Sequence, residues 1–390
     1  MSSETAPHNV FLAPVLDLCS NRKELHRMQR TPSSKMFIHS HHSHFEAHEL
    51  MKTANELVEI KGRGIYASDE APEMMDELLR NAQKVSLTEE EKRKKRKIWK
   101  ETAFSSLNSE YISGAILHWE SLIDFQLAPL LSDKGIIPGI RANGELVPIP
   151  RSTEEFIVQG LDNLLPQLQA ARSAGARFSK WRVPVGCTST NIPVPLPTLL
   201  GLETSAETLA QFAAISQQAG LVPIVEPDVD FSRDADLARS TEVHERVIDL
   251  IYIRMKAHGV LIEGTLIKPS FPQPGLQHPS RAEVAPEEIA MATATIISRS
   301  VPTSVQGVLF LSGGLPSQTA TNFLASLNAL VLASPSPSAF SRLPRLTFSF
   351  GRGIQNEAME LWKAGDENAA KESFEKWSRS CWHASKGVVL

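Results

Sequence analysis

Cysteine is scarce in this chain of 390 residues, which contains three: Cys19, Cys187 and Cys381. Three widely separated cysteines do not form a disulfide framework or a metal-ligand spacing, and their number is typical of proteins from a reducing compartment. Apolar runs are short, and none approaches the roughly 18 residues that span a bilayer. The first thirty residues lack the basic start and apolar centre of a secretory signal. The sequence therefore predicts a cytoplasmic protein without a membrane anchor.

Positive charge is not in excess either, because the formal net charge is −4 at pH 7. Proteins that bind nucleic acid or an anionic membrane surface usually carry a basic face, so neither partner is expected. With 42% apolar and 22% charged residues, the chain can bury a large core.

Residues 1–45 differ from the rest, since they are mixed in character and only weakly periodic. We predict an N-terminal extension there that is packed on the surface or partly disordered. Its end is rich in histidine, with His39, His41, His42, His44 and the nearby His48. Structural zinc sites usually space pairs of ligands across a turn and a second element, whereas this cluster is contiguous and lacks cysteine. We therefore favour a solvated patch over a metal site.

Apolar segments of strand length alternate with segments of helical periodicity over residues 46–390. About eight strands in some 300 residues predict an α/β protein with a (β/α)8 barrel and C-terminal helices. A doubly wound sheet of this size would more often show a glycine-rich nucleotide loop, and the sequence has none. The strands are predicted near residues 65–68, 113–118, 135–141, 176–183, 221–226, 261–268, 306–312 and 345–350.

Helices are predicted between these strands, and two of them concern the fold described below. The helix at residues 88–108 contains a run of charges from Glu89 to Lys97, which we interpret as a solvated face. The other helix is predicted at residues 153–173.

The strand predicted at residues 261–268 delivers a lysine to its carboxyl end, because Pro269 cannot donate to a further ladder. An amine held in an apolar wall loses hydration of its charged form, so its pKa falls and the neutral amine can form a Schiff base with a carbonyl. A single lysine at a strand end more often extends to water. The other strand ends therefore decide the interpretation of Lys268.

Charges of both signs recur at those ends, where (β/α)8 barrels place their active sites. Lys180, if near Lys268, would help to lower the pKa of that amine. Glu226 and Asp69 are carboxylates that can move protons during imine formation and bond cleavage. Together these four residues predict Schiff-base chemistry.

Glycine-rich segments at residues 311–314 and 349–353 follow the last two predicted strands. Their backbone N–H groups, the serine hydroxyls and the guanidinium fork of Arg352 suit a phosphate. Arg141 and Arg182 are candidates for binding a second anion.

These segments resemble the class I fructose-1,6-bisphosphate aldolases. The match runs in unbroken order from about residue 46 to residue 375, and it is carried by residues 67–70, 178–182, 222–228, 261–269, 286–293, 310–314 and 347–352. The resemblance implies a (β/α)8 lyase that uses no metal or other cofactor and is usually a cytosolic homotetramer. In that family a lysine matching Lys268 forms an imine with the C2 ketone of dihydroxyacetone phosphate.

The resemblance also implies roles for single residues. Lys268 matches the Schiff-base nucleophile, Glu226 the general acid/base for imine formation, and Lys180 the lysine that supports this step. Asp69 matches the carboxylate that takes the proton of the C4 hydroxyl on cleavage. The C1-phosphate site is matched by Ser312, Gly313, Gly351 and Arg352, and residues that order the site are matched by Arg182 and Asp228.

The chain departs from the family where the second, C6 phosphate is held. After the Asp69–Glu70 pair the family has serines and a lysine–arginine pair, whereas this chain has alanine, glutamate and methionine, then Glu77 and leucine. Carboxylates at Glu73 and Glu77 would repel a phosphate dianion, although Arg141 replaces a family lysine and retains one contact. The C1-phosphate site is thus expected to be complete and the C6-phosphate site dismantled.

Two further departures concern the loop at residues 187–193 and the family's C-terminal tyrosine, which assists proton exchange at C3. The tyrosines here are Tyr66, Tyr111 and Tyr252, and the sequence closes on Leu390. Enamine protonation is therefore expected to use another acid or to be slow.

The sequence leaves three functions open. The first is an aldolase that cleaves fructose 1,6-bisphosphate or joins the same donor to another aldehyde. The second is an imine-forming relative that acts on a different carbonyl compound in specialised metabolism, and the third is a non-catalytic scaffold. Charges around a buried lysine are costly, and a scaffold has no need of them, so the third is disfavoured.

Overall fold

The computed structural model describes residues 41–80, 87–152 and 154–389. Cys19, His39 and most of the predicted N-terminal extension lie outside the described residues. In the described part of the chain the strands are β1 (Gly64–Ser68), β2 (Ile112–Leu117), β3 (Ile137–Arg141), β4 (Leu146–Pro148), β5 (Phe156–Val158), β6 (Phe178–Val185), β7 (Val222–Val229), β8 (Leu266–Ile267), β9 (Gly307–Phe310) and β10 (Arg345–Phe350).

Eight of these strands close into a parallel barrel, which confirms the predicted (β/α)8 fold. Around the barrel the order is β1, β2, β3, β6, β7, β8, β9 and β10, and β10 pairs again with β1. β4 and β5 form a separate antiparallel pair outside the barrel.

Helices surround the barrel and cover the outer faces of its strands. In chain order they are α1 (His44–Val58), α2 (Pro72–Leu78), α3 (Glu89–Ser106), α4 (Ala128–Ser132), α5 (Leu164–Ser173), α6 (Leu199–Gln218), α7 (Leu237–Ala257), α8 (Pro286–Ser300), α9 (Ser317–Ala333), α10 (Arg352–Lys363) and α11 (Glu367–Ala384). None of the helices described is long and apolar enough to cross a membrane.

α1 closes the amino-terminal end of the barrel. Ser43 caps the helix, and its backbone N–H and hydroxyl both donate to Glu46. The apolar face of α1, including Leu50 and Leu57, packs on inward-facing side chains such as Ile65 and Phe178. The opposite, carboxyl end of the barrel is where the polar residues collect.

The predicted helix at residues 153–173 is wrong in its first part. Phe156–Val158 pairs with β4 instead, and the helix begins at Leu164. The run Phe-Ile-Val is aromatic and β-branched and therefore fits a strand. Gly160, at φ +117°, then turns the chain before the helix.

The strand predicted at residues 261–268 is also shorter than expected. Residues Ile262–Gly264 form a 3₁₀ turn, and only Leu266–Ile267 belong to β8. The side-chain amide of Gln217 replaces the ladder, because it accepts from the Leu261 N–H (2.9 Å) and donates to the Leu261 carbonyl (2.8 Å). The strand end is nevertheless where it was predicted, since the Lys268 N–H donates to the Val225 carbonyl at 2.8 Å.

The charge run in α3 is not wholly solvated, which corrects the interpretation of that helix as a solvated face. Arg96 is 6% exposed and forms ion pairs with Asp76 and Glu120, both at 2.7 Å. Every third or fourth residue of the run returns to the protein-facing side of the helix, so a charged residue at such a position needs a buried partner.

The barrel interior is filled so closely that one strand position requires glycine. A Cβ atom at Gly139 on β3 would lie 2.2–2.5 Å from ring atoms of Phe178 on β6. Such an approach forces the ring or the strand to move, because the interior has no free volume to take the group.

We expect Gly139→Ala to lower the free energy of unfolding by about 1–3 kcal/mol, as overpacking of a core does. Gly353→Ala, in α10, is the matched control, because its added Cβ would make ordinary contacts of 3.4–3.5 Å with Phe350 and Ser312. Alanine favours a helix over glycine by about 1 kcal/mol, so the control should be neutral or stabilising. Denaturant unfolding of both variants measures the difference, and equal stabilities would show that the barrel interior yields to the added methyl group.

Candidate active site

Strand alternation places a set of charged residues on the inner face of the barrel at its carboxyl end. Successive side chains of a strand point to opposite faces, so residues two or four places after an inward-facing side chain point inward as well. Ile65, Ile116, Phe178, Ile224 and Leu266 belong to the inner core. The inward-facing residues beyond this core are Asp69, His118, Arg141, Lys180, Arg182, Glu226, Asp228 and Lys268.

Four of these side chains form a continuous row of alternating charge. The Lys180 Nζ atom lies 2.6 Å from Asp69 Oδ2 and 3.0 Å from Glu226 Oε2. The other oxygen of Glu226 lies 3.3 Å from Lys268 Nζ. Lys180, Glu226 and Lys268 are each no more than 4% exposed, so this row of charges is buried.

The two lysines of the row have pKa values shifted in opposite directions. Burial lowers the pKa of Lys268, and the nearby cation Lys180 lowers it further, although Glu226 acts against this shift. Burial also disfavours the charged form of Lys180, but its contacts with Asp69 and Glu226 outweigh that effect and raise its pKa. Lys268 is therefore the amine that more readily becomes neutral, while Lys180 keeps its proton.

The two carboxylates of the row remain ionised. Burial acts to raise the pKa of Asp69 and of Glu226, but the adjacent Lys180, with Lys268, lowers both. Asp228, by contrast, has a raised pKa because burial outweighs its contact with Arg182. The Arg182 Nε atom donates to Asp228 at 2.7 Å, and this pair lies beside Glu226 on neighbouring strands.

Asp69 follows the end of β1, and this strand end is held by residues that were not predicted from the sequence. The buried ammonium of Lys100 on α3 donates to the carbonyl and hydroxyl of Ser68, both at 2.8 Å, and to Glu70 at 2.9 Å. Glu70 also accepts from the Gln355 amide, whose oxygen in turn accepts from Tyr66. The only signal in the sequence was the position of Lys100 beside Trp99 on the inner side of α3.

The two glycine-rich segments meet at the mouth of the barrel. Gly313 and Gly314 have positive φ values of 56° and 85°. A Cβ at Gly314 would lie 3.0–3.2 Å from the Arg352 guanidinium, and a Cβ at Gly353 would lie 3.5 Å from Ser312. The structure thus brings together Ser312, Gly313, Gly351 and Arg352 at the amino end of α10, where a helix favours an anion.

Arg141 lies at the Asp69 end of the row, away from Lys268. Its Nη1 atom donates to the Asp69 carbonyl at 3.3 Å, and its Cα pairs with that of Lys180 in the barrel register. Next to it is His118, which follows β2 and was not among the predicted site residues. The alternation along β2 is the signal that identifies it, because Gly114 and Ile116 mark the inward-facing positions and the next is His118.

The unusual loop at residues 187–193 lines a cavity of about 450 Å³ beside the loops that follow β7 and β8. Ser189 donates to Asp234 at 2.7 Å, and Arg239 donates to the Thr188 carbonyl at 3.1 Å. Burial raises the pKa of the Cys187 thiol to about 12, so it remains protonated. The cavity is lined by Ser189, Thr190, Asn191, Ile192, Asp234, Asp236, Arg239, Gln277, His278 and Pro279.

The histidine-rich stretch enters the described part of the chain at His41. Within residues 41–80, 87–152 and 154–389, no group of three or more histidine, cysteine, aspartate or glutamate side chains is arranged to hold a metal ion. His44 and His48 lie in the first turns of α1.

A parallel eight-stranded barrel with a buried lysine of lowered pKa at its mouth defines a (β/α)8 protein equipped for imine chemistry. Residues 49–388 match the family model of class I fructose-bisphosphate aldolase, described as glycolytic. The chain therefore belongs to the class I fructose-bisphosphate aldolase family.

Relatives and a solved structure agree with this assignment. The sequence is 36% identical over 348 residues to fructose-bisphosphate aldolase B of Ovis aries, covering 87% of this chain and 90% of the relative. It is 36% identical to the cytosolic fructose-bisphosphate aldolase 5 of Arabidopsis thaliana, covering 83% and 86%. The Plasmodium falciparum aldolase, solved with TRAP and a small-molecule inhibitor, superposes with a TM-score of 0.80 at 32% identity, covering 89% of this chain and 97% of that one.

We expect Lys180→Met to move imine formation at Lys268 to higher pH. An ordinary lysine has a pKa near about 10.4, and without Lys180 the carboxylates Asp69 and Glu226 both act to keep the proton on Lys268. Borohydride trapping with dihydroxyacetone phosphate, followed across pH, measures the midpoint. Lys376→Met, at an exposed lysine of α11, is the control. An unchanged midpoint in Lys180→Met would contradict the electrostatic coupling of the two lysines.

Proposed function

We propose that this protein is a class I aldolase that cleaves or forms a carbon–carbon bond through an imine between Lys268 and a ketose phosphate. The substrate of the cleavage is fructose 1,6-bisphosphate, and its donor half is dihydroxyacetone phosphate. The observation that carries the proposal is the buried Lys268 amine of lowered pKa, 3.3 Å from Glu226, in a chain of this family. No cofactor is required beyond the covalent imine.

The row of charges supports the reaction as far as the cleavage of the C3–C4 bond. Neutral Lys268 attacks the C2 carbonyl, and Glu226 moves protons so that the carbinolamine loses water. The protonated imine then accepts the electron pair of the C3–C4 bond while Asp69 takes the C4 hydroxyl proton. The aldehyde leaves, the resulting enamine is protonated at C3, and water releases the ketone from Lys268.

Lys180 has a positioning and electrostatic role in this scheme. Because its pKa is raised, it stays charged and holds Asp69 and Glu226 on either side of it. It thereby keeps both carboxylates ionised and ready to accept a proton.

The donor phosphate lies, in this proposal, at the glycine-rich segments. The amino end of α10, the Ser312 hydroxyl and the Arg352 guanidinium converge there, with Gly313 and Gly351 allowing close approach of the backbone. Arg182 and Asp228 order the wall next to Glu226.

The finer assignments follow the family. We infer a homotetramer in the cytoplasm that acts on phosphorylated carbonyl substrates, as the cytosolic Arabidopsis relatives suggest for compartment. A relative acting on another carbonyl compound and a non-catalytic scaffold are both less well supported, because the match to aldolases spans most of both chains.

The proposed donor side is the pair of glycine-rich segments, and the aldehyde side is the part of the mouth after β1. The two sides differ in their charge. Glu73 and Glu77 are exposed on α2, directly after the Asp69 tip. Arg96 is engaged by Asp76 and Glu120. A C6 phosphate would therefore meet carboxylates and a cation that already has partners, so we infer that this phosphate contributes little to binding.

Lys268→Met should reduce turnover by a factor on the order of 10⁴ or more, because the nucleophile is lost. Folding should persist, since Glu226 retains Lys180 at 3.0 Å and methionine fills a similar volume. Cleavage assays and thermal melting test both statements, with Lys376→Met as the control. Normal activity in Lys268→Met would refute the mechanism.

Glu77→Lys combined with Met74→Ser should raise kcat/KM for the bisphosphate relative to fructose 1-phosphate by about three- to tenfold, which is the effect of about 1 kcal/mol of added phosphate binding. Glu49→Lys makes the same charge change on α1 at the opposite end of the barrel and should leave the ratio unchanged. No gain in the double variant would count against a weakened C6-phosphate site.

A further inference from the structure

His118 occupies the inner face of the barrel mouth opposite the nucleophile. In the strand order, β2 lies four places from β8 in a ring of eight, so the two strands stand across the barrel from each other. A substrate bound to Lys268 by its C2 carbon extends its aldehyde half away from that lysine. The strand ends that it meets on the far side are those of β1, β2 and β3.

His118 is flanked there by two residues of the site. Leu117, one residue earlier, pairs with Ser68 on β1 and with Ile140 on β3. The next residues along the three strands are Asp69, His118 and Arg141, which therefore stand side by side. His118 lies between the carboxylate that we assign to the C4 hydroxyl and the arginine beyond it.

Local hydrogen bonding sets the tautomer of the imidazole. The Glu120 backbone N–H donates to His118 Nδ1 at 3.2 Å, so a neutral ring carries its proton on Nε2. Burial, then Arg141 and Lys100, lower the pKa of the ring and favour its neutral form. Within the described part of the chain no hydrogen bond engages Nε2. A neutral N–H donor thus remains available at the mouth of the barrel.

Two of the three cations around His118 are paired with carboxylates. Lys100 contacts Glu70, Arg96 contacts Asp76 and Glu120, and Arg141 donates to the Asp69 carbonyl. A neutral N–H donor suits an uncharged oxygen such as a hydroxyl, because it supplies direction without compensating charge.

We propose that His118 is a specificity-determining residue whose Nε2–H donates to a hydroxyl of the aldehyde half, beyond the reacting carbon. His118 thereby favours acceptor aldehydes that carry hydroxyls, such as glyceraldehyde, over aldehydes that lack them. The inference rests on the proposed function. His118 gives up no proton in the reaction, since the C4 hydroxyl proton passes to Asp69 and the bonding pair passes to the imine.

The test uses the full chain in the direction of carbon–carbon bond formation. Dihydroxyacetone phosphate is the donor, and glyceraldehyde or propanal is the acceptor, because propanal lacks both hydroxyls. One hydrogen bond from a neutral donor contributes about 0.5–1.5 kcal/mol, so the wild type should prefer glyceraldehyde in kcat/KM by about two- to tenfold. His118→Phe should remove most of that preference, and His118→Gln, which retains an N–H at a similar distance, should keep part of it.

Borohydride trapping of the donor on Lys268 separates this inference from the proposed function. Trapping should be equal in wild type, His118→Phe, His118→Gln and the control His258→Gln, whose ring contacts Glu207 on the outer helices. An unchanged acceptor preference in His118→Phe, with trapping intact, would overturn the role of His118 alone. Absence of trapping in the wild type would overturn the proposed function. If His118→Phe does not fold, a partial loss of the preference in His118→Gln supports the role and an unchanged preference overturns it.

Discussion

The site depends on one buried arrangement, the row in which Lys180 lies between Asp69 and Glu226 and Lys268 follows. Each of these charges would be strongly unfavourable in the barrel by itself, because burial removes its hydration. Three strand ends, those of β1, β6 and β7, are joined through Lys180, so its position determines the geometry of both carboxylates. The row leaves Lys268 at its end, with one carboxylate neighbour and a repelling cation. Burial is the main cause of the lowered pKa of Lys268, and the cation Lys180 adds to that effect against the opposing carboxylates.

The surrounding fold holds this row in register. Phe178 fills the barrel below Lys180, and Gly139 on the neighbouring strand leaves space for its ring. Lys100 fixes the end of β1 through Ser68 and Glu70, so Asp69 is held by a second buried lysine that does not face the substrate. Apolar packing in the barrel interior and hydrogen bonds from the surrounding helix both limit the movement of the strand ends.

Much of the site was predictable because a strand has a period of two and ends at a definite residue. Lys268 was placed correctly even though only Leu266 and Ile267 of its predicted strand belong to β8, since Pro269 marks the end whatever precedes it. His118 was not predicted, because an apolar run shows where β2 lies but does not by itself show which of its alternating side chains face inward. The roles of Lys100 and Arg96 were not predictable from a charged helix, because the partners Glu70, Asp76 and Glu120 come from other elements and tertiary contacts decide which charges are buried.

In the proposed function, the two halves of the mouth use different physical means of recognition. On the donor side, glycine-rich backbone, a helix amino end and Arg352 offer positive potential for a dianion. On the aldehyde side, carboxylates engage Arg96 and Lys100, and a neutral imidazole stands between Asp69 and Arg141. A phosphate bound on the proposed donor side would hold the ketose whatever the other end carries, so His118 on the proposed aldehyde side can recognise a hydroxyl by direction. Divergence within a family that keeps its imine chemistry is therefore expected on the β1–β3 side, since changes there leave the row from Asp69 to Lys268 intact.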